Sequence, residues 1–221
     1  MSAVTRVGFC VSGNGHLFRA AACQAERLGI KPALVIAEAR AASDLDEFCA
    51  ARRIPFHRLD AGDRSAFDQQ VDRLCIEAKL DLLALTFDRI LSPELVAHYR
   101  GRIINVHVGL LPAFKGMNAL EQATTAGVGF AGATIHEVSD DLDAGAVIAQ
   151  CLIGVRRQES ADSLGRRLFG SLRLMFLQVL AWYAAGRVEK DAQGRVWVNG
   201  AVYGELPISP AIEDGFPEDC R

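Results

Sequence analysis

Paired cysteines are missing from this chain: the six thiols, at positions 10, 23, 49, 75, 151 and 220, form no C-x-x-C pair. The first five sit inside apolar or helical stretches. They read as reduced thiols of a cytosolic protein, not as a disulfide or zinc framework, and no metal is expected. Long apolar runs are also lacking. The most apolar window, Leu174 to Ala185, is interrupted by Gln178 and falls short of the roughly 20 residues that a membrane span needs. The first residues carry no charged leader followed by an apolar segment, so no export signal is expected and the expected location is cytoplasmic. Nor is there an excess of positive charge. With 24 Lys and Arg against 27 Asp and Glu, the formal net charge is -3, and no global electrostatic term favours a phosphate backbone. Neither nucleic acid nor a membrane is an expected partner.

What is present is an ordinary globular composition, 221 residues of which 50% are hydrophobic and 23% charged, enough for one sizeable core. Short aliphatic runs alternate with helical patterns. The runs are Val7–Val11, Ala33–Ala37, a weak one at Ile54–Arg58, Leu82–Thr86 and Ile103–Val108. Leu17–Leu28, Ser43–Arg52 and Ala66–Ala78 have helical spacing between them, with Ser43 as a candidate N-cap. Ser92-Pro93-Glu94 combines a capping hydroxyl, a proline at the first helical position and an early acid, which predicts a helix to about Tyr99. The implied class is α/β, a mostly parallel sheet flanked by helices. Farther on, Ala131–Val138 and Ala146–Val155 read as extended, and Ser160–Ala185 as a long helix with one apolar face. Arg187–Glu189 and Arg195–Val198 flank a glycine-containing turn and predict a short hairpin. Beyond Leu206, prolines and acids predict a loosely ordered tail. Residues 1–186 are expected to form the catalytic domain, with the hairpin and tail, 187–221, packed on it.

Three places hold chemistry. Ser12-Gly13-Asn14-Gly15, followed by a helix from His16, is a turn whose glycines let backbone N–H groups approach an anion. It lacks the third glycine of a dinucleotide fingerprint. In Ile104-Asn105-Val106-His107-Val108, Asn105 and His107 stand two apart, hence on one face of a strand, where polar groups need a reason. The loop Ser139-Asp140-Asp141-Leu142-Asp143-Ala144-Gly145 carries three carboxylates. It has no closing glutamate for calcium, and Asp143 folded over His107 would orient the imidazole and keep it charged. His136 is as well read as a packed strand histidine as a pocket residue, Lys115 as a solvated loop lysine, and His57 and His98 as surface or helix-edge residues.

These residues, together with Asp88-Arg89-Ile90-Leu91-Ser92-Pro93, Leu110-Leu111-Pro112-Ala113-Phe114-x-Gly116 and Gly132-Ala133-Thr134-Ile135-His136, resemble the folate-dependent formyltransferases, above all their glycinamide ribonucleotide branch. The likeness is collinear from about Val7 to Trp182. It implies a Rossmann-like formyltransferase fold and transfer of a formyl group from 10-formyltetrahydrofolate, as co-substrate, to a primary amine. By the same resemblance Asn105, His107 and Asp143 are the catalytic positions. Arg89, Ile90 and Leu91, with Val138, Asp140 and Asp141, receive the folate. Ser12, Gly13, Asn14, Gly15, His16 and Gly109 lie on the acceptor side.

Three departures from the family pattern fall on that acceptor side. His-Pro-Ser reads His107-Val108-Gly109, the Ser-Asn after the glycine turn reads His16-Leu17, and a Glu-His pair of the last helix reads Leu172-Arg173. Leucine for a ribose-binding carboxylate forgoes a charge-assisted hydrogen bond of roughly 1.5–3 kcal/mol. The expectation is therefore an amine or hydroxylamine other than glycinamide ribonucleotide, such as an amino sugar or a hydroxyornithine-type side chain. Glycinamide ribonucleotide itself is the alternative, with hydrolysis by water and a non-catalytic folate binder behind it.

Overall fold

The first apolar run becomes β1 (Thr5–Val11), buried from Val7 onward. In the computed structural model, residues 4–60, 62–87 and 89–216 are described; Asp88 and Cys220 lie outside them. Two compact units divide the chain, Met1–Asn105 and Val106–Arg221.

In the first unit the chain alternates strand and helix: α1 (His16–Cys23), α2 (Ala25–Leu28), β2 (Ile30–Glu38), α3 (Leu45–Ala51), β3 (Phe56–Leu59), α4 (Arg64–Glu77), β4 (Leu82–Thr86), α5 (Pro93–His98) and the start of β5 (Ile103–His107). The strands lie in the order β3-β2-β1-β4-β5, and every pair in that order is parallel. This is the α/β class expected from the alternation, since parallel neighbours require a crossover, here a helix, between successive strands. Near-continuous aliphatic runs such as Leu82–Leu85 are buried because a parallel sheet is covered on both faces.

Ser92 caps α5 as expected, accepting from the Leu95 N–H, with Pro93 in the first turn. Two helix expectations need correction. The single helix expected over Leu17–Leu28 is broken at Gln24, whose backbone leaves the helical region and returns its N–H to the Ala21 carbonyl. Asp44, not Ser43, precedes the third helix, and its carboxylate pairs with Arg19 at 2.7 Å instead of capping the helix.

The second unit is built around antiparallel β6 (Phe130–Glu137) and β7 (Val147–Gly154). The long helix α7 (Ala161–Ala184), capped by Ser160, packs on both strands and buries Leu164, Leu168, Leu172, Met175 and Phe176. A helix that the sequence pattern did not reveal, α6 (Ala119–Thr125), packs against α7. Its seven residues include Glu121, Gln122, Thr124 and Thr125, too few apolar side chains to make a helical period visible. The hairpin forms as β8 (Val188–Lys190) and β9 (Val196–Val198), with Asp191 accepting from the Gln193 and Arg195 N–H groups across the turn.

The tail is tied down where a loose one was expected. Ile208–Ser209 forms β10 against β7, the Glu213 N–H donates to Gln178 Oε1, and the Glu213 carboxylate accepts from Trp182 Nε1 and pairs with Arg187. Burying the polar ends of Gln178 and Trp182 of α7 requires partners, and the tail supplies them.

Four of the five described cysteines, Cys10, Cys49, Cys75 and Cys151, are buried and Cys23 is exposed; all five are free thiols. Burial pushes Cys49 and Cys151 up to about 11 and Cys75 up to about 12. They are therefore protonated and inert as nucleophiles at neutral pH.

Candidate active site

Strand β5 delivers His107 into a nearly closed environment, its side chain only 8% exposed. The chain then turns at Gly109, where a side chain could not be accommodated. A Cβ there would lie 2.6 Å from His107 Nε2 and 3.0 Å from the Ala119 methyl. The glycine that replaces the family's serine thus sits directly on the imidazole. The loop continues to Phe114, whose carbonyl oxygen is 2.8 Å from His107 Nε2.

The loop between β6 and β7 brings Asp143 to the same imidazole. Asp143 takes a left-handed backbone conformation, φ 48°, which aspartate tolerates better than most residues. Two residues on, Gly145 passes so close to β6 that a Cβ would fall 1.7 Å from the Glu137 carbonyl oxygen. These two backbone requirements account for the Leu-Asp-x-Gly spacing. Asp143 Oδ2 lies 3.4 Å from His107 Nδ1 and accepts from the Gly116 N–H at 2.8 Å. On the other side, Asp143 Oδ1 lies 3.6 Å from His136 Nε2. The three side chains, His107, His136 and Asp143, are 8%, 3% and 6% exposed.

The protonation states follow from the far nitrogens. A carbonyl oxygen only accepts, so the contact with Phe114 places a proton on His107 Nε2, while a proton on Nδ1 makes the approach to Asp143 an ion pair. His136 Nδ1 must likewise donate to the Glu137 carbonyl at 2.8 Å. Burial lowers the His136 pKa below its ordinary value, and the His107 and Lys115 charges act in the same direction, against the raising effects of the Glu137 carbonyl and Asp143. An imidazole N–H donor beside a carboxylate that is itself fixed by a backbone N–H can stabilise a developing oxyanion and handle a proton.

Residues that the sequence reading did not single out hold the loop in place. Thr134, fully buried on β6, donates to the Gly109 carbonyl at 2.7 Å and accepts from the Leu111 N–H at 3.1 Å. Gln150 on β7 donates to the Leu111 carbonyl at 2.9 Å and to Thr134 Oγ1 at 3.0 Å. The signal in the sequence was a hydroxyl inside the apolar run Gly132-Ala133-Thr134-Ile135, since a polar group there needs a buried partner.

The remaining expected residues fall in both units. In the first, Asn105 is half-buried on β5 and pairs in register with Leu85. Arg89 stacks over the Phe67 ring at 4.0 Å, Ile90 is exposed, and the buried Leu91 offers its carbonyl to Arg64. Gly13 and Gly15 both have positive φ, Ser12 Oγ donates to the Thr86 carbonyl, and Asn14 and His16 are exposed, their side chains 3.4 Å apart. In the second, Val138 is half-buried and Asp140 and Asp141 are exposed. Leu172 is 5% exposed in the core, and the Nε of neighbouring Arg173 is buried without a hydrogen-bond partner. Among the described residues, no group of three or more His, Cys, Asp or Glu side chains is placed to hold a metal ion, and no helix is long and apolar enough to cross a membrane.

Residues 5–180 match the family model described as formyl transferase. The trifunctional purine biosynthetic protein adenosine-3 of Bos taurus is 36% identical over 170 residues, 75% of this chain but 17% of that protein. The chain thus spans less than a fifth of that relative. The phosphoribosylglycinamide formyltransferase of Escherichia coli strain K12 is 32% identical over 196 residues, covering 86% of this chain and 92% of the relative. Among solved structures, the phosphoribosylglycinamide formyltransferase of Anaplasma phagocytophilum superposes with a TM-score of 0.81 at 30% identity, covering 90% of this chain and 96% of that one. A formyltetrahydrofolate deformylase of Pseudomonas syringae also reaches 0.81, at 26% identity over 89% of this chain and 66% of its own.

Proposed function

Because the chain belongs to the formyl transferase family, we propose that it transfers a formyl group from 10-formyltetrahydrofolate to a primary amine or hydroxylamine, with Asn105, His107 and Asp143 as its catalytic residues. The observation that carries this reading is the buried pair of His107 Nδ1 and Asp143 Oδ2 at 3.4 Å, with the Gly116 N–H fixing the same carboxylate oxygen.

Attack of the amine nitrogen on the formyl carbon forms a C–N bond and puts negative charge on the formyl oxygen. The His107 imidazolium and the Asn105 amide donate to that oxygen. In the free protein, His107 Nε2–H is spent on the Phe114 carbonyl, and the oxyanion takes over that donor. Collapse of the tetrahedral species breaks the bond to folate N10. The proton lost by the attacking amine reaches N10 through a water held by Asp143. Arg89, Ile90 and Leu91, with Val138, Asp140 and Asp141, are the residues proposed to receive the folate. Ser12, Gly13, Asn14, Gly15, His16 and Gly109 are those proposed for the acceptor.

Leu172, buried in the core, supports an acceptor other than glycinamide ribonucleotide, because it offers no hydrogen bond where the family resemblance puts a ribose-binding carboxylate. The second reading, glycinamide ribonucleotide itself, is favoured by the names of the relatives. Purified protein assayed with 10-formyltetrahydrofolate and a panel of amines, read by mass spectrometry for the gain of one formyl group, decides between them. Robust turnover of glycinamide ribonucleotide overturns the first reading of the acceptor. Release of formate with no amine present overturns transfer in favour of hydrolysis.

A further inference from the structure

One peptide group of the first unit is held at both ends by α4. Arg64 donates to the Leu91 carbonyl, and Asp68 Oδ2 accepts from the Ser92 N–H at 2.7 Å. A guanidinium and a carboxylate one helical turn apart thus grip the Leu91–Ser92 peptide. The grip is incomplete on the acidic side. Asp68 is 5% exposed, yet its second oxygen, Oδ1, is buried without a hydrogen-bond partner. A buried carboxylate oxygen left unserved is costly, and the cost is removed by a donor.

Asp68 lines a cleft of about 700 Å3 between α4 and α5, a size that admits a small molecule. Asp63, Asp72 and Glu94 join it in the lining, against Arg64 and His98, so the cleft stays net negative even when His98 is protonated. Both basic groups are engaged already. Arg64 serves the Leu91 carbonyl, and His98 Nδ1 lies 3.0 Å from Asp72 Oδ1. Asp68 and Asp72, four residues apart on one helix, repel each other. Among the described residues no three acidic, cysteine or histidine side chains are placed to hold a metal ion. The cleft therefore calls for an organic cation that carries its own N–H donors.

We propose that this cleft binds a small molecule with a primary ammonium group, whose N–H bonds complete Asp68 and brace the Leu91–Ser92 peptide. None of the lining residues belongs to the catalytic, donor or acceptor sets named above, so the site is a further one. An ammonium brings full positive charge and three donors in a compact head, which suits a carboxylate already holding one backbone N–H. The braced peptide directly follows Arg89 and Ile90, and its carbonyl belongs to Leu91. Its bearing on the folate donor rests on the formyl-transfer reading given above. Whichever ligand binds first orders the segment for the other, so each tightens the other by the same factor.

The probe is 1,4-diaminobutane, titrated calorimetrically into the full chain at pH 7.5, with 1,4-butanediol as the uncharged control. Saturable binding of the diamine alone, one per chain, is expected. Asp68→Asn keeps the shape and removes the charge, and should weaken that binding at least ~10-fold, the size of one charge-assisted hydrogen bond. Glu94→Gln changes only an exposed side chain in the first turn of α5, and should weaken it about two- to fivefold. In 15N-labelled protein the Ser92 amide resonance should move with the same midpoint. Saturating diamine should tighten binding of 10-formyltetrahydrofolate about fivefold or more, and the reverse titration should give the same factor. No saturable binding, equal binding of the diol, or undiminished affinity in either variant overturns the site and leaves formyl transfer standing. Diamine binding with an unmoved Ser92 amide or an unchanged donor affinity overturns the bracing of the peptide. Absence of formyl transfer by the wild-type chain, with diamine binding intact, overturns the proposed function and leaves the site.

Discussion

Asp143 Oδ2 lies 3.4 Å from His107 Nδ1, and the Gly116 backbone N–H approaches the same oxygen at 2.8 Å. A carboxylate held on one side by a backbone donor is kept facing the imidazole on the other. Both side chains are buried, 8% and 6% exposed, where electrostatic interactions are strongest.

Replacing that carboxylate by an amide, in Asp143→Asn, keeps the shape and removes the charge. Turnover should fall by at least ~10²-fold, the range of general acid–base contributions, with the donor dissociation constant little changed. Steady-state kinetics with an equilibrium folate titration checks this, and a wild-type rate would refute the role.

Gly109→Ser restores the residue of the family pattern, yet here its Cβ would meet His107 Nε2 at 2.6 Å. The ring or the loop must move, so the variant should lose activity instead of gaining an acceptor. A drop in kcat of about tenfold or more is the expected outcome, in line with the sensitivity of catalysis to a misplacement of order 1 Å.

Thr134→Val removes a fully buried hydroxyl that serves the Gly109 carbonyl and the Leu111 N–H. Leaving a buried backbone group unsatisfied costs about 1–3 kcal/mol, which urea unfolding of wild type and variant would register as a lower midpoint with an unchanged slope. Gln150→Leu should act in the same direction, and the two effects should not add, because the residues share one network.

Stability should also depend on pH through His136. Its pKa in the folded protein is lowered from 6.5 chiefly by burial, so below that value the unfolded chain binds more protons than the folded one. The contribution of His136 is fully present above pH 6.5 and is lost as pH falls towards the lowered folded value. Urea midpoints at pH 7.5 and 5.5 should differ more in wild type than in His136→Phe; equal differences would refute this.

Much of the fold was legible because its signals are local. A Ser-Pro-Glu start, an aliphatic run such as Leu82–Thr86 and the apolar spacing over Leu164–Val179 depend on residues a few positions apart, and each appears as read. Errors arose where a distant partner overrode the local signal. Asp44 pairs with Arg19 and not with its own helix, and the tail is ordered because Gln178 and Trp182 need the polar groups of Glu213.

By itself, the sequence determined which chemical groups are available and the class of fold that carries them: an amide and an imidazole two residues apart on a strand, and a carboxylate ahead of a glycine on a remote loop. The sequence pointed to Asp143 among the three acids of its loop, and only the tertiary structure decided that its carboxylate meets two rings instead of one. That outcome depends on the left-handed turn at Asp143, the backbone contact at Gly145, and the carbonyls of Phe114 and Glu137 that orient the rings. Distances between residues far apart in the chain follow from packing and backbone hydrogen bonding, which no local pattern of side chains encodes.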